Sequence, residues 1–593
     1  MTLDTPVTLQ VQIKRRPVDP ARFAQALSAG FQEVFARIVA AREVPLDTLS
    51  NAMKPRLQYL DSPESLADMD KAVTRLCAAL IHGEVIALET DHDCDGQTSH
   101  AVLYQALTQY FGHPKDKVLS FIGHRLTEGY GLSQAVAERI LATEPRPTVV
   151  ITADNGSSDE PRIKILKEAG IDVIVTDHHE IPTAGIPKSA WAVINPTRED
   201  SQYPDPFVAG CMVAWLLMAA TRRRLIADGK LPKDAPSLSG LLDYVAVGTV
   251  ADCVSMAKSI NNRAVVRYGI QLMEQRQRPC WSVIFSDESK RITTEDLGFT
   301  VGPLLNSDGR LSCAMKSVSF LLADGEDEAQ DWLVFLGEQN QKRKTIQHEL
   351  TEQVRNLALS QIQQGKNGLC VYLQAGHVGV QGICASRVKD AFGRPIVVFS
   401  DKQGHPGLIT GSARGIDGLH LKRIFDAIHQ QSPTMMVSYG GHRAAAGVTI
   451  KKKDFVDFAH HFHECVSRTE ADFGPVLWTD GHIEPHMITT QFIHQLDEQL
   501  APFGREFDVP CFEISGTLKS LQSIGDGTHA RLQLHTDHGT LTCVWFRARN
   551  KKEDCFPVQP EDRVVGVIEL RVNRYLGRET VSPHVLHLMV EEA

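Results

Sequence analysis

Short apolar runs alternate with amphipathic stretches over much of the chain. Residues 85–90 (VIALET) are apolar, an acidic loop follows, and the run from Gly96 (GQTSHAVLYQALTQYF) has helical periodicity. That order is strand, loop, helix. Residues 147–154 (PTVVITAD), 171–179 (IDVIVTDHH) and 191–196 (WAVINP) repeat the strand pattern, with helical stretches such as SQAVAERILAT and PRIKILKEAG between them. Apolar strands alternating with amphipathic helices predict a mainly parallel sheet covered on both faces. The stretch from about 331 to 364 lacks proline and is rich in Gln, Lys, Arg and Glu, which predicts one long, solvated connecting helix. A second α/β unit starts at Gly368, and strand-rich sequence with glycine turns fills the chain from about 472, as in a small barrel. The resulting division is 1–60 mostly helical, 61–325 a first α/β domain, 326–366 the long helix, 367–470 a second α/β domain, and 471–593 the barrel.

Composition narrows the class. The 593 residues carry 42% hydrophobic and 23% charged side chains, which are globular values and, at roughly 150 residues per domain, enough for about four domains. The formal net charge of −10 argues against a bulk electrostatic coat for DNA and leaves room for a local basic channel. The 12 cysteines form no C-x-x-C pair, so neither a zinc ribbon nor a thioredoxin-type motif is supported. Residues 1–17 have no apolar signal core, and the longest apolar run, 207–220, is too short to span a bilayer and reads as a buried helix. A reducing cytoplasm is the expected location.

Chemistry gathers at the expected strand ends. Asp91-His92-Asp93-Cys94-Asp95-Gly96 places three carboxylates in one turn, where they repel one another unless a cation lies between them. An EF-hand is excluded because its twelfth position is Val102 and its flanks are strand then helix. Asp154-Asn155-Gly156, Asp177-His178-His179 and Asp252 (in GTVAD) also abut apolar segments. Any one is an ordinary turn or cap; four on one sheet edge point to a site. Many carboxylates with one or two imidazoles suit Mn²⁺ or Mg²⁺ rather than structural zinc. A pair of such ions sharing a carboxylate serves phosphoryl-ester hydrolysis.

These four segments, in this order, resemble the motifs of the DHH phosphoesterase superfamily. Further resemblances lie in Leu305-Asn306-Ser307-Asp308-Gly309-Arg310, in GVQGICASR at 379–387, in Gly411-Ser412-Ala413-Arg414 and in GGHRAAAG at 440–447. With Pro502-Phe503-Gly504 and the barrel, the order is similar to the single-strand-specific exonucleases of that superfamily, from about residue 60 to the end. The resemblance implies a DHH catalytic domain, a DHH-associated domain and an OB-fold. It implies two ions: Asp91, Asp93 and Asp154 on one; Asp95, Asp154, His178 and Asp252 on the other, Asp154 bridging. His179 is expected to face the scissile phosphate, with Asp177 fixing an imidazole. Arg125, Asn306, Arg310, Ser386, Arg387, Ser412, Arg414 and His442 are the expected phosphate grip, and Arg574 and Tyr575 candidates on the barrel. His460, His461 and His463 fall outside every motif and read as surface or packing residues.

The implied activity is a Mn²⁺- or Mg²⁺-dependent 5′-to-3′ exonuclease on single-stranded DNA, serving recombination and repair. Single-stranded DNA is the expected partner, with single-strand-binding protein and a helicase as protein partners, no membrane, and a monomeric state. The rivals are a phosphodiesterase of oligonucleotides or cyclic dinucleotides, and a non-catalytic DNA-binding scaffold. Leu304 stands where a basic residue is common, so one phosphate contact is expected to be missing and Leu304→Arg to restore it, provided the pocket can hold the larger side chain. Gly376 and Gly415 also depart from the pattern.

Overall fold

In a computed structural model of the chain, residues 11–125, 127–311, 313–549, 551–575 and 578–591 are described. Residues 1–10 of the expected helical N-terminal region lie outside them. No helix among the described residues is long and apolar enough to cross a membrane. The contacts define two compact units that do not follow the linear order: 11–12 and 62–252 with 272–475, and 13–61 with 253–271 and the described residues from 476 on.

The first unit opens with five parallel strands: β1 (Ile86–Thr90), β2 (Val118–Ile122), β3 (Val149–Ala153), β4 (Asp172–Thr176) and β5 (Ala192–Ile194). Their order is β2-β1-β3-β4-β5. β1 and β3 are buried along their whole length, which explains their nearly unbroken apolar sequence. The helices that position the site are α1 (Cys94–Gln105), α2 (Gly210–Ala227), α3 (Leu242–Ala251) and α4 (Gly302–Leu311). The long apolar run does become a buried helix, α2.

The long helix α5 (Glu326–Gln363) has 38 residues, about 57 Å at 1.5 Å per residue. It is not simply a solvated connector. Leu350, Val354 and Ala358, spaced four apart, form a buried stripe against the next sheet. That sheet holds β6 (Leu369–Leu373), β7 (Ile396–Asp401), β8 (Leu408–Arg414), β9 (Met436–Gly441) and β10 (Ala445–Lys451) in the order β9-β10-β8-β7-β6. Only the β6–β7 pair is parallel. Helix α6 (Val378–Phe392) packs on it.

The second unit contains a closed barrel of β11 (Cys511–Ile524), β12 (His529–Thr536), β13 (Gly539–Trp545), β14 (Arg563–Tyr575) and β15 (Arg578–Val590), in the order β11-β12-β13-β15-β14. β12 alternates strictly, with Ala530, Leu532, Leu534 and Thr536 inward, as one buried face requires. Arg263 ties the internal segment to this unit. Its buried guanidinium donates to the carbonyls of Ala52, Met256, Leu500 and Pro502 and lies 4.5 Å from the Phe507 ring centre.

Candidate metal centre

From β1 the chain turns to β2 on one side and to β3 on the other, and such a reversal opens a crevice beyond the carboxyl ends of the strands. The acidic residues emerge there in fixed register. Asp91 N donates to Ala153 O (3.2 Å), Asp154 N to Thr176 O (3.0 Å) and Asp177 N to Ile194 O (3.0 Å), continuing the sheet one residue past each strand.

Local structure then aims each side chain. Asp93 caps α1, its Oδ1 accepting from Asp95 N (3.1 Å) and Gly96 N (3.2 Å). The two Asp95 oxygens accept from Gly210 N (2.7 Å) and Cys211 N (2.9 Å), anchoring that carboxylate on the amino end of α2. Asp154 has φ of 64°, a left-handed conformation uncommon for a non-glycine residue and frequent at functional turns. Asp252 closes α3. Two glycines admit this crowding. A Cβ on Gly210 would lie 2.8 Å from Asp154 Cβ and Oδ1, and one on Gly248 2.4 Å from Thr98 Oγ1 and 2.8 Å from Asp95 Oδ1.

Asp91, Asp93 and Asp154 each bring a ligand atom within 4.8 Å of the others, as do Asp95, His178 and Asp252. His178 Nε2 lies 3.1 Å from Asp154 Oδ1, 3.6 Å from Asp252 and 3.9 Å from Asp95. Asp154 Oδ1 and His178 Nε2 are both buried and, although 3.1 Å apart, are not aligned for a hydrogen bond and have no other partner. Burial and then the surrounding carboxylates push the Asp93, Asp154 and Asp252 carboxyls above their usual range. Burial, with positive His179 adding, pulls His178 down, so its ring is neutral as a ligand must be. Two orphaned buried atoms, oxygen-rich donors and mutually repelling carboxylates fit a pair of hard divalent cations.

His179 differs from His178. Its Nδ1 lies 2.7 Å from Asp177 Oδ1, and about half of its side chain is exposed. Burial opposes its charge, but the hydrogen bond and charge of Asp177 prevail and raise it to about 10. Asp177 is itself fixed by the amides of Ser157, His178 and His179.

The expected phosphate grip is divided. Arg414 Nε donates to Ser386 Oγ and its Nη1 to Ser412 Oγ, both 3.1 Å, so three of the expected residues meet. Arg310 Nη1 donates to Gly379 O at 2.9 Å. Burial, with Arg125 and Arg343 adding, lowers the Arg310 guanidinium to about 10; burial lowers Arg414 too, Tyr130 opposing and Arg125 adding. The charge of Arg125 thus lowers the affinity of both Arg310 and Arg414 for a proton, as a close like charge does. Arg125 also lies 5.1 Å from the Tyr130 ring centre, and Arg387 and His442 are exposed. Asn306 also supports the acidic loop, its Oδ1 accepting from Cys94 N at 2.9 Å. In the second unit, Arg574 pairs with Glu579 (2.8 Å); the Tyr575 side chain lies outside the described residues.

Sequence reasoning missed Glu89. It is fully buried on β1, and burial, then the nearby charges of Asp159 and Asp91, raise its carboxyl well above the usual range. Its one signal is an acid inside an apolar strand. Leu304 is a correction: it is 6% exposed within the core, so it offers no place for a basic side chain.

A parallel sheet whose strand ends present Asp91, Asp154 and Asp177-His178-His179 defines the class, the DHH phosphoesterases, and the DHH family N-terminal domain is matched over residues 85–249. The DHHA1 domain is matched over 365–468 and the RecJ OB domain over 479–587. The chain belongs to the RecJ family. The single-stranded-DNA-specific exonuclease RecJ of Haemophilus influenzae is 33% identical over 540 residues, covering 89% of this chain and 91% of that protein. The Escherichia coli protein of the same name is 32% identical over 533 residues, covering 87% and 89%. The crystal structure of RecJ in complex with Mn²⁺ from Thermus thermophilus has the same fold, with a TM-score of 0.78, 22% identity, and coverage of 98% of this chain and 80% of that one.

Proposed function

We propose that this chain is a two-metal exonuclease that hydrolyses phosphodiester bonds of single-stranded DNA from the 5′ end. The carrying observation is the pair of orphaned buried atoms, Asp154 Oδ1 and His178 Nε2, among Asp91, Asp93, Asp95 and Asp252. In this reading Asp91, Asp93 and Asp154 hold one ion, and Asp95, Asp154, His178 and Asp252 the other. Mn²⁺ or Mg²⁺ held there would supply water activation and charge neutralisation at the phosphate. The chain's own residues do the rest. Asp177 locks His179 by Nδ1, leaving Nε2 to donate to a phosphate oxygen. Arg125, Arg310, Arg387 and Arg414 fix the DNA backbone, with Ser386, Ser412 and His442 beside them; such contacts carry no sequence information. Arg574 and Tyr575 are the barrel's own contacts with the strand.

By this reading the enzyme serves recombination and repair in the cytoplasm. There a monomer acts on strands opened by a helicase and coated by single-strand-binding protein. The test is digestion of 5′- and 3′-labelled single strands and duplexes with Mn²⁺, Mg²⁺ or chelator. Metal-dependent loss of single strands from the 5′ end is expected. Equal digestion of blunt duplex, or attack from the 3′ end, refutes the reading.

A further inference from the structure

A second cluster of ligating side chains lies in the barrel unit, with different chemistry. His482, Glu484 and His486 alternate along the segment that runs beside the start of β11. Ile483 N donates to Glu513 O (3.2 Å) and Glu513 N to Gly481 O (2.9 Å), so this stretch is extended like an added strand. Pro485 opens a single 3₁₀ turn, closed by Met487 N to Glu484 O at 2.9 Å. His538 comes from the β12–β13 turn, which is pinned by Thr536 Oγ1 to Gly539 O (2.8 Å) and His538 N to Thr536 Oγ1 (3.3 Å).

The two segments meet at these side chains. His538 Nε2 lies 3.1 Å and His482 Nε2 3.6 Å from the Glu484 carboxylate. The His486 and His538 ring centres are 5.6 Å apart, and Glu484, His486 and His538 each bring a ligand atom within 4.8 Å of the others. A single His538–Glu484 contact accounts for the 3.1 Å approach but not for the second imidazole, that of His486, set edge-on beside it.

We propose that Glu484, His486 and His538, with His482 alongside, form a surface site for a borderline divalent cation of the Zn²⁺ class, clamping residues 482–486 to the β12–β13 turn. Two or three imidazoles and one carboxylate are a tetrahedral nitrogen–oxygen set, the donor chemistry of zinc. The oxygen-rich centre of the first unit favours harder ions, so the two sites sort cations by ligand type. The half-exposed side chains leave a water position open, and the site's role is to hold two segments together.

The test uses the full-length protein with excess Mn²⁺ saturating the carboxylate-rich centre. Zn²⁺ is titrated by calorimetry into the parent and into His486→Ala/His538→Ala, and Co²⁺ absorption is recorded in parallel. The parent should bind one Zn²⁺ more than the double variant, or bind it at least about tenfold tighter, and show the intense visible band of four-coordinate Co²⁺. Both residues are exposed, so the variant should keep the parent's circular dichroism and nuclease activity. Equal Zn²⁺ stoichiometry and affinity in both proteins, or a Co²⁺ spectrum of six-coordinate type only, overturns the site.

Discussion

Asp154 carries opposing demands. Its left-handed backbone and its place among four other carboxylates cost folding free energy, because a carboxyl held above its unfolded range destabilises the ionised fold at neutral pH. In the proposed two-metal reading, the same arrangement is what lets it serve both ions. Asp154→Asn keeps the shape and removes the charge. It should cut exonuclease turnover by about 10² to 10³-fold, the value of several kcal/mol of lost charge stabilisation, while raising the melting temperature measured in chelator. An active Asp154→Asn enzyme would contradict the proposed bridging role. His100, on the helix that Asp93 caps, shows the reverse economy. It is buried between Thr90 Oγ1 (3.3 Å) and Ser120 Oγ (2.8 Å), and burial lowers it to about 4. A base whose folded value is depressed favours the fold above its unfolded value near 6.5, and that advantage is lost as pH falls toward 4. The loss is on the order of 3 kcal/mol. Denaturant melts at pH 7 and pH 4.5 should show the parent losing stability more steeply than His100→Gln.

At the scale of elements, the site depends on helix ends brought against strand ends. The amides at the start of α2 hold Asp95, α1 is capped by Asp93, and Asn306 of α4 reaches back to the acidic loop. Leu304 belongs to this packing. Leu304→Arg should therefore destabilise the protein by about 3 kcal/mol or more, as an unpaired buried charge does, and should not strengthen DNA binding. A tighter-binding, fully stable Leu304→Arg protein would show that the pocket opens to solvent. The helix α5 makes the same point with a milder outcome. Its polar composition suits a solvated connector, yet the stripe of Leu350, Val354 and Ala358 makes its second half a wall of the β6–β10 core.

For the molecule as a whole, a net charge of −10 repels a polyanion, so binding rests on a few placed cations. Arg387→Ala and Arg414→Ala should each weaken binding alike for all single-strand sequences. Each should also lessen the slope of log affinity against log salt by roughly 0.7. Equilibrium binding to a labelled strand over a salt series, with Ca²⁺ in place of the catalytic ion, measures both. Unchanged slopes in both variants would move the grip away from the β6–β10 sheet.

The α/β layering, the barrel and the acidic strand ends were legible in the residues themselves. Period-2 alternation, unbroken apolar strands and ionisable side chains at their ends follow from local sequence, because burial on one or two faces dictates them. Glu89, the supporting role of Asn306 and the buried place of Leu304 were not legible. Each depends on which atoms of distant segments fill the space around one side chain, and spacing along the chain carries no record of that. The grouping of residues 13–61 and 253–271 with the barrel was likewise decided in three dimensions, where one buried guanidinium, Arg263, needs carbonyls from Ala52, Met256, Leu500 and Pro502 together.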